Sequence, residues 1–154
     1  MAPQIGYMHL EAVQYYYGQL KPNLEEANVD MMWNNILPLY FTVEGGIRNG
    51  LLKKKVVLVE VIGDTGSDRV WKDAVEEATN YTTVVRDSQS AYDNTTEMMY
   101  AIVTVGCHSR FYELAPGERL LEDYGNTGGR PYEFKEDEGD IDRLLMELVN
   151  KASH

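Results

Sequence analysis

Two acidic residues and one cysteine stand at positions in this sequence where a side chain could do chemistry. Glu60 is the only charge inside the apolar run VVLVEVI, and Asp64 follows it in the stretch IGDTGSDRVW. A carboxylate in either place could bind a metal ion or activate a water molecule. Cys107 precedes His108, and a thiol beside a base could act as a nucleophile, although a plain turn explains such a pair more often.

The hydrophobic spacing predicts the elements that must position these residues. Apolar residues recur at three- and four-residue intervals in four segments, which indicates helices, and β-branched or aromatic runs indicate strands. The predicted helices lie at about residues 8–20, 24–37 and 140–151, with another of roughly 18 residues that begins near Val70. The predicted strands lie at about residues 37–46, 56–62, 98–106 and 110–115.

The order of these elements predicts a single α/β domain with a mixed sheet. A strand, a long helix and another strand form a right-handed βαβ crossover, which makes the two strands parallel. The GCHS turn then makes a hairpin of the last two strands. The segment 116–131 contains four glycines and is expected to be an irregular loop. We divide the domain 1–154 into a helical N-terminal region at 1–37, a core at 38–114, a Gly-rich loop at 115–139 and a C-terminal helix at 140–151.

The composition disfavours several classes of protein. The chain has 25 acidic and 14 basic residues among 154, and its net charge of −11 repels a phosphate backbone. Lys53, Lys54 and Lys55 are most simply the solvated flank of a strand. No apolar run approaches the ~20 residues that span a bilayer, and the first residues lack a secretory signal. The single cysteine fits a reducing compartment, so we expect an intracellular protein, cytoplasmic or nuclear.

The sequence Asp-Thr-Gly-Ser at residues 64–67 resembles the active-site loop of aspartic proteases. That resemblance implies that Asp64 shares a proton with a second aspartate and activates water. Its context favours another interpretation, because the motif occurs once and a helical period starts at Val70. Asp64, Ser67 and Asp68 are then turn and capping residues at the start of that helix, which is the interpretation we favour.

A longer stretch of the chain, about residues 38–114, resembles the restriction-endonuclease-like PD-(D/E)XK fold, and within it the fungal nuclease-like branch. A helix, a short antiparallel meander, a strand with an embedded acid and a helix that starts near a tryptophan follow one another in both. The residues that carry the resemblance are Val59-Glu60-Val61-Ile62, Trp71, Ala74, Tyr81, Tyr100 to Gly106 and Arg110-Phe111-Tyr112.

In that family two acids bind Mg²⁺ and a lysine two residues after the second acid helps to activate water. The resemblance places Glu60 at the second acid, and Glu44 is the available substitute for the first. Ile62 stands where the lysine is expected, so Lys72 or one of the lysines at 53–55 would have to supply the amine. Glu77 could face the same cleft.

The departures from this pattern lead us to expect a degenerate, non-catalytic binding or assembly module without a cofactor. A protein partner or self-association as a homodimer is then expected rather than nucleic acid or membrane, and the tyrosines at 15–17 are a possible interface. One alternative is a Mg²⁺- or Mn²⁺-dependent nuclease that uses Glu44, Glu60 and Lys72. Another alternative is an aspartic protease that depends on Asp64.

Overall fold

A computed structural model describes most of the chain as a mixed α/β domain. The residues described are 6–20, 26–41, 51–52, 56–61, 66–89, 98–125 and 127–152. The helices are α1 (Glu11–Leu20), α2 (Glu26–Ile36), α3 (Asp68–Gln89) and α4 (Glu138–Ala152). The strands are β1 (Leu51–Leu52), β2 (Val56–Val61), β3 (Met99–Val105), β4 (His108–Leu114), β5 (Glu122–Asp123) and β6 (Tyr132–Glu133).

The sheet has the order β1-β2-β3-β4-β5, and β6 pairs with the start of β4. Strand β2 runs parallel to β3, from Val56 beside Tyr100 to Val61 beside Val105. Strands β1 and β4 run antiparallel to their neighbours β2 and β3. The predicted mixed sheet, the βαβ crossover through α3 and the hairpin between β3 and β4 are therefore confirmed.

The structure corrects the prediction of a strand at 37–46. Leu37–Leu39 forms a 3₁₀ turn that continues α2, because the N–H groups of Tyr40 and Phe41 both donate to the carbonyl of Leu37. Pro38 has no N–H to give to a strand ladder, so it fits the first turn of such a helix. Residues 42–50, which include the predicted Asn49-Gly50 turn, lie outside the described residues.

Two further boundaries differ from the prediction. Helix α3 has 22 residues and ends at Gln89, so it extends four residues into the polar stretch that follows Val85. The Gly-rich segment contributes the two short strands β5 and β6, both of which pair with β4. Such two-residue strands depend on pairing with a neighbouring strand. No local hydrophobic period predicts them.

Both faces of the sheet are covered, because successive strand side chains alternate between two apolar clusters. All seven residues of β3 are buried, which explains its nearly continuous apolar sequence. The cluster under α3 includes Val57, Val59, Trp71, Ala74, Ala78, Ala101 and Val103. The cluster under α1, α2 and α4 includes Val13, Trp33, Ile36, Val56, Ile102, Phe111, Ile141 and Leu144.

A carboxylate at the start of α4 holds the N-terminal segment in place. Glu138 Oε2 accepts hydrogen bonds from the backbone N–H groups of Tyr7, at 2.8 Å, and Met8. Gly6 has a φ of 90°, and a Cβ there would lie 2.5 Å from the same oxygen. The hydroxyl of Tyr7 donates to the carbonyl of Phe134. Only glycine therefore fits at position 6 without a shift of Glu138.

Burial and acidic neighbours raise the pKa of two tyrosines in this region. Loss of solvent contributes most to both, followed by the charge of Glu138 at Tyr7 and by a hydrogen bond to Asp142 at Tyr40. The folded-state pKa of each phenol then lies above that of the unfolded chain. The stability that these phenols contribute is present in full below pH ~10 and is lost as the pH rises further, because the unfolded chain releases its phenolic protons first.

The protein should therefore lose stability progressively above pH ~10. Replacement of Tyr40 by Phe should make this loss shallower, and removal of its hydrogen bond should cost about 1 kcal/mol at neutral pH. Urea unfolding curves over a series of pH values measure both effects. Tyr15→Phe, on an exposed side chain of α1, is the matched control and should change neither. If the stability of Tyr40→Phe and that of the parent protein fell equally steeply above pH ~10, the raised pKa of Tyr40 would not contribute to this loss.

Candidate functional site

The structure places Glu60 on the helix α2 face of the sheet. Glu60 is half-buried and lies beside Thr104 in the parallel register of β2 and β3, so both side chains project from the same face. Thr104 Oγ1 accepts a hydrogen bond of 3.1 Å from Trp33 Nε1 of α2. Thr104 also bonds Ser109 on the neighbouring strand at 2.8 Å. This face of the sheet therefore belongs to the cluster under α1, α2 and α4.

Lys72 and Glu77, which the sequence associates with Glu60, belong to the opposite side of the sheet. Both are exposed residues of α3, which packs through Trp71 and Ala74 on the other face. The sheet therefore separates Glu60 from the helix that carries Lys72. The predicted residues Glu44, Ile62 and Asp64 lie outside the described residues. Within the described ranges, no group of three His, Cys, Asp or Glu side chains could hold a metal ion.

The start of α3 shows the predicted cap. Ser67 Oγ accepts a hydrogen bond of 3.3 Å from the N–H of Val70, and its carbonyl accepts another of 3.2 Å from the N–H of Trp71. Asp68 lies in the first helical turn, where the helix dipole favours a negative charge. Ser67 thus satisfies one of the free N–H groups of the helix.

An open recess of about 310 Å³ lies beside this helix start. Its lining consists of Asp68, Trp71, Lys72, Val75 and Arg110. The guanidinium of Arg110, which projects from β4, stacks over the indole of Trp71 at 4.2 Å from the ring centroid. Trp71 is itself buried, so the aromatic platform under the guanidinium is held in place by the core.

The stacking on Trp71 positions Arg110, and no described carboxylate forms an ion pair with it. Its Nε is buried and has no hydrogen-bond partner among the described residues. Burial raises the pKa of the neighbouring Tyr112, while a hydrogen bond and the charge of Arg110 act in the opposite direction. The recess therefore combines two cations with one carboxylate, Asp68, and can accept an anionic group against an apolar wall.

The pairing of Arg110 with Trp71 is the feature that sequence reasoning missed. The sequence predicts Arg110 only as a strand residue within the Arg110-Phe111-Tyr112 part of the family resemblance. A charged residue two positions before the buried Tyr112 is nevertheless a signal. Because strand residues two apart share a face, such an arginine must lie beside the same helix. Its contact with Trp71 also depends on the register of the β3–β4 hairpin.

Cys107 and His108 form part of the turn between β3 and β4. The sulfur of Cys107 lies 3.5 Å from His108 Nδ1. Burial and then the charge of Glu133 raise the pKa of the Cys107 thiol, which keeps it protonated at neutral pH. Gly106, with a φ of 61°, precedes them and allows the tight turn between the two strands. The pair therefore fits a structural turn better than a nucleophile and its base.

No known protein family, curated protein or solved structure in our comparisons matches this chain. Assignment of a function therefore depends on the geometry of the chain itself. Of the helices that the structure describes, none has the combination of length and apolar character needed to cross a membrane.

The cap at Ser67 gives a direct test of the geometry at the start of α3. Ser67→Ala should lower the free energy of unfolding by about 1 kcal/mol, because the helix loses a side-chain acceptor. Ser67→Asp keeps an acceptor and should restore most of that stability. Chemical denaturation of the three proteins measures the difference. An alanine variant as stable as the parent would show that Ser67 does not cap α3.

Proposed function

We propose that this chain is a non-catalytic binding domain on a restriction-endonuclease-like core, and that it captures a short acidic segment of a partner protein. The observation that carries the proposal is the stacking of Arg110 on Trp71 at 4.2 Å, with Lys72 at the rim of the same recess. A guanidinium held over an indole presents its planar donors in a fixed direction and can bind a carboxylate in a bidentate manner.

The order of strands and helices supports the proposed core. An antiparallel pair, a crossover through a long helix and a final hairpin follow one another as in the family that the sequence resembles. Two departures support the loss of catalysis. Ile62 stands where that family has a lysine, and Lys72, the proposed replacement, belongs to a helix on the other face of the sheet from Glu60.

The charge distribution supports a short acidic peptide as the partner. Two cations at the recess attract a carboxylate locally, while the net charge of −11 repels a long polyanion such as nucleic acid. Trp71 and Val75 add an apolar wall, which suits an acidic residue flanked by a hydrophobic one. The recess is open on one side, so a side chain of a larger molecule can enter it.

In one form of the proposed function the partner is a second copy of the chain, so that the protein is a homodimer. The exposed ring of Tyr15 stacks edge-on against Tyr16 on α1, with ring centroids 5.1 Å apart, and offers a separate aromatic contact for such a dimer. Light scattering with the parent protein and Tyr15→Ser measures it. A monomer at high protein concentration would remove the homodimer from the proposal.

A peptide of alternating Glu and Leu residues tests the recess directly. In NMR titrations it should shift the signals of Trp71, Lys72 and Arg110, whereas a counterpart with Gln in place of Glu should not. Arg110→Gln and Lys72→Gln should each weaken binding by about tenfold, because each removes a charged donor to the carboxylate. Arg69→Gln, three residues from Lys72 and outside the recess, is the matched control and should leave binding unchanged.

Two results would contradict this function. Cleavage of DNA in the presence of Mn²⁺ that disappears in Glu60→Gln would show a working nuclease. Equal binding of the Glu and Gln peptides would show that the recess does not recognise a carboxylate. Circular dichroism of each variant shows whether a lost signal reflects binding or unfolding.

A further inference from the structure

A second and more enclosed cavity lies between the Gly-rich segment and α4. It has a volume of about 230 Å³. The side chains and backbone that line it include Tyr124, Gly125, Thr127, Tyr132, Arg143, Glu147 and Lys151. None of these residues lines the recess beside Trp71.

The one carboxylate in this lining is already paired at both oxygens. Glu147 Oε1 accepts a hydrogen bond of 2.8 Å from the hydroxyl of Tyr124, and Oε2 accepts one of 2.9 Å from Arg143 Nη1. Burial and then the bond to Glu147 raise the pKa of Tyr124, so its hydroxyl keeps its proton. Both carboxylate oxygens of Glu147 therefore have partners within the protein, so Glu147 does not require a cationic ligand.

Lys151 has no acidic partner among the residues that the structure describes. Its Nζ lies 4.5 Å from the ring centroid of Tyr124 and 5.9 Å from that of Tyr100, so two aromatic faces hold the ammonium at the cavity. In the described part of the chain, no carboxylate lies within ion-pair distance of it. Arg143, by contrast, pairs with Asp140 at 3.8 Å as well as with Glu147.

We propose that this cavity binds a small monocarboxylate whose charge is neutralised by Lys151. Within the lining Arg143 pairs with Glu147, so Lys151 is the cation that a single carboxylate of a ligand would meet. Arg143 is committed to its two acidic neighbours, which leaves too few free donors for a doubly charged phosphate. The size and enclosure of the cavity limit the ligand to a small molecule.

The Gly-rich segment forms the wall that encloses this ligand. Gly125, Gly128 and Gly129 have φ values of 50°, 61° and 74°, a backbone conformation that other residues rarely adopt. Thr127 closes the turn, because its N–H and its hydroxyl both donate to the carbonyl of Tyr124, at 3.1 and 2.8 Å. This backbone holds Tyr124 against α4, where its hydroxyl donates to Glu147 and its ring contacts the Lys151 ammonium.

NMR titration of the full chain with acetate and benzoate tests the proposal. Both should shift the amide signals of Gly125 and Thr127, and Lys151→Gln should weaken the binding by about tenfold, since a charge-assisted hydrogen bond is lost. Lys135→Gln is the matched control, because Lys135 also lies over a tyrosine ring, that of Tyr17 at 5.9 Å, but outside the cavity. It should bind both ligands as the parent protein does.

Several results would overturn the inference. Tighter binding of inorganic phosphate than of either carboxylate would show that the ligand class is wrong, and so would binding of methylammonium at the same amides. Equal affinity of Lys151→Gln and the parent protein would exclude Lys151 as the carboxylate partner. Shifts confined to Trp71 and Arg110 would assign the carboxylates to the other recess. Arg110→Gln should leave binding at Gly125 intact, which keeps this test separate from that of the peptide.

Discussion

The hydrogen bond from Trp33 Nε1 to Thr104 Oγ1 fixes how the sheet meets its helices. Thr104 lies in a strand whose residues are all buried, and it also bonds Ser109 on the next strand. A slip of one residue would turn Thr104 toward the apolar cluster under α3 and leave the indole N–H without an acceptor. An unsatisfied buried donor costs about 1–3 kcal/mol, which is a large part of the stability of a small domain. The apolar residues of β3 would fit either face of the sheet. The hydrogen bond between Trp33 and Thr104 therefore selects one register.

This register decides which side chains can act together. Glu60 lies level with Thr104 and so belongs to the face under α2, whereas Arg110 and Trp71 meet on the face under α3. A carboxylate and a cation that stand twelve positions apart in the sequence, Glu60 and Lys72, are thus separated by the thickness of the sheet. Glu60, the acid that the family resemblance would place beside the cations near the start of α3, faces the other side of the sheet. This arrangement supports the proposed recognition of an anion.

Local patterns predicted those regions of the structure that depend on local interactions. The helical periods of α2, α3 and α4 and the apolar runs of β2, β3 and β4 are each contained in a single segment, and so is the cap at Ser67. The turn at Leu37–Leu39 was misassigned because its apolar residues suit a strand, while the backbone bonds to Leu37 decide its conformation. The site beside Trp71 and the cavity at Lys151 were not predicted, because each joins segments that are distant in sequence. Strands β5 and β6 likewise exist only through their pairing with β4.

Some of the acidic residues stabilise the backbone, a role that the net charge alone does not reveal. At the start of α4, carboxylates bind backbone N–H groups. Glu133 Oε2 accepts from Lys135 and Glu136, at 2.8 and 2.6 Å, and Asp137 Oδ2 accepts from Glu133 at 2.9 Å. Asp137 also pairs with Arg130 through Oδ1, at 3.0 Å. Acids used in this way stabilise the turn and the start of the helix. The electrostatic field of the net negative charge still acts at long range. A short acidic group can reach the cations of a recess, whereas an extended polyanion meets the repulsion of the whole surface. The same composition that disfavours nucleic acid therefore supports the proposed preference for a single carboxylate.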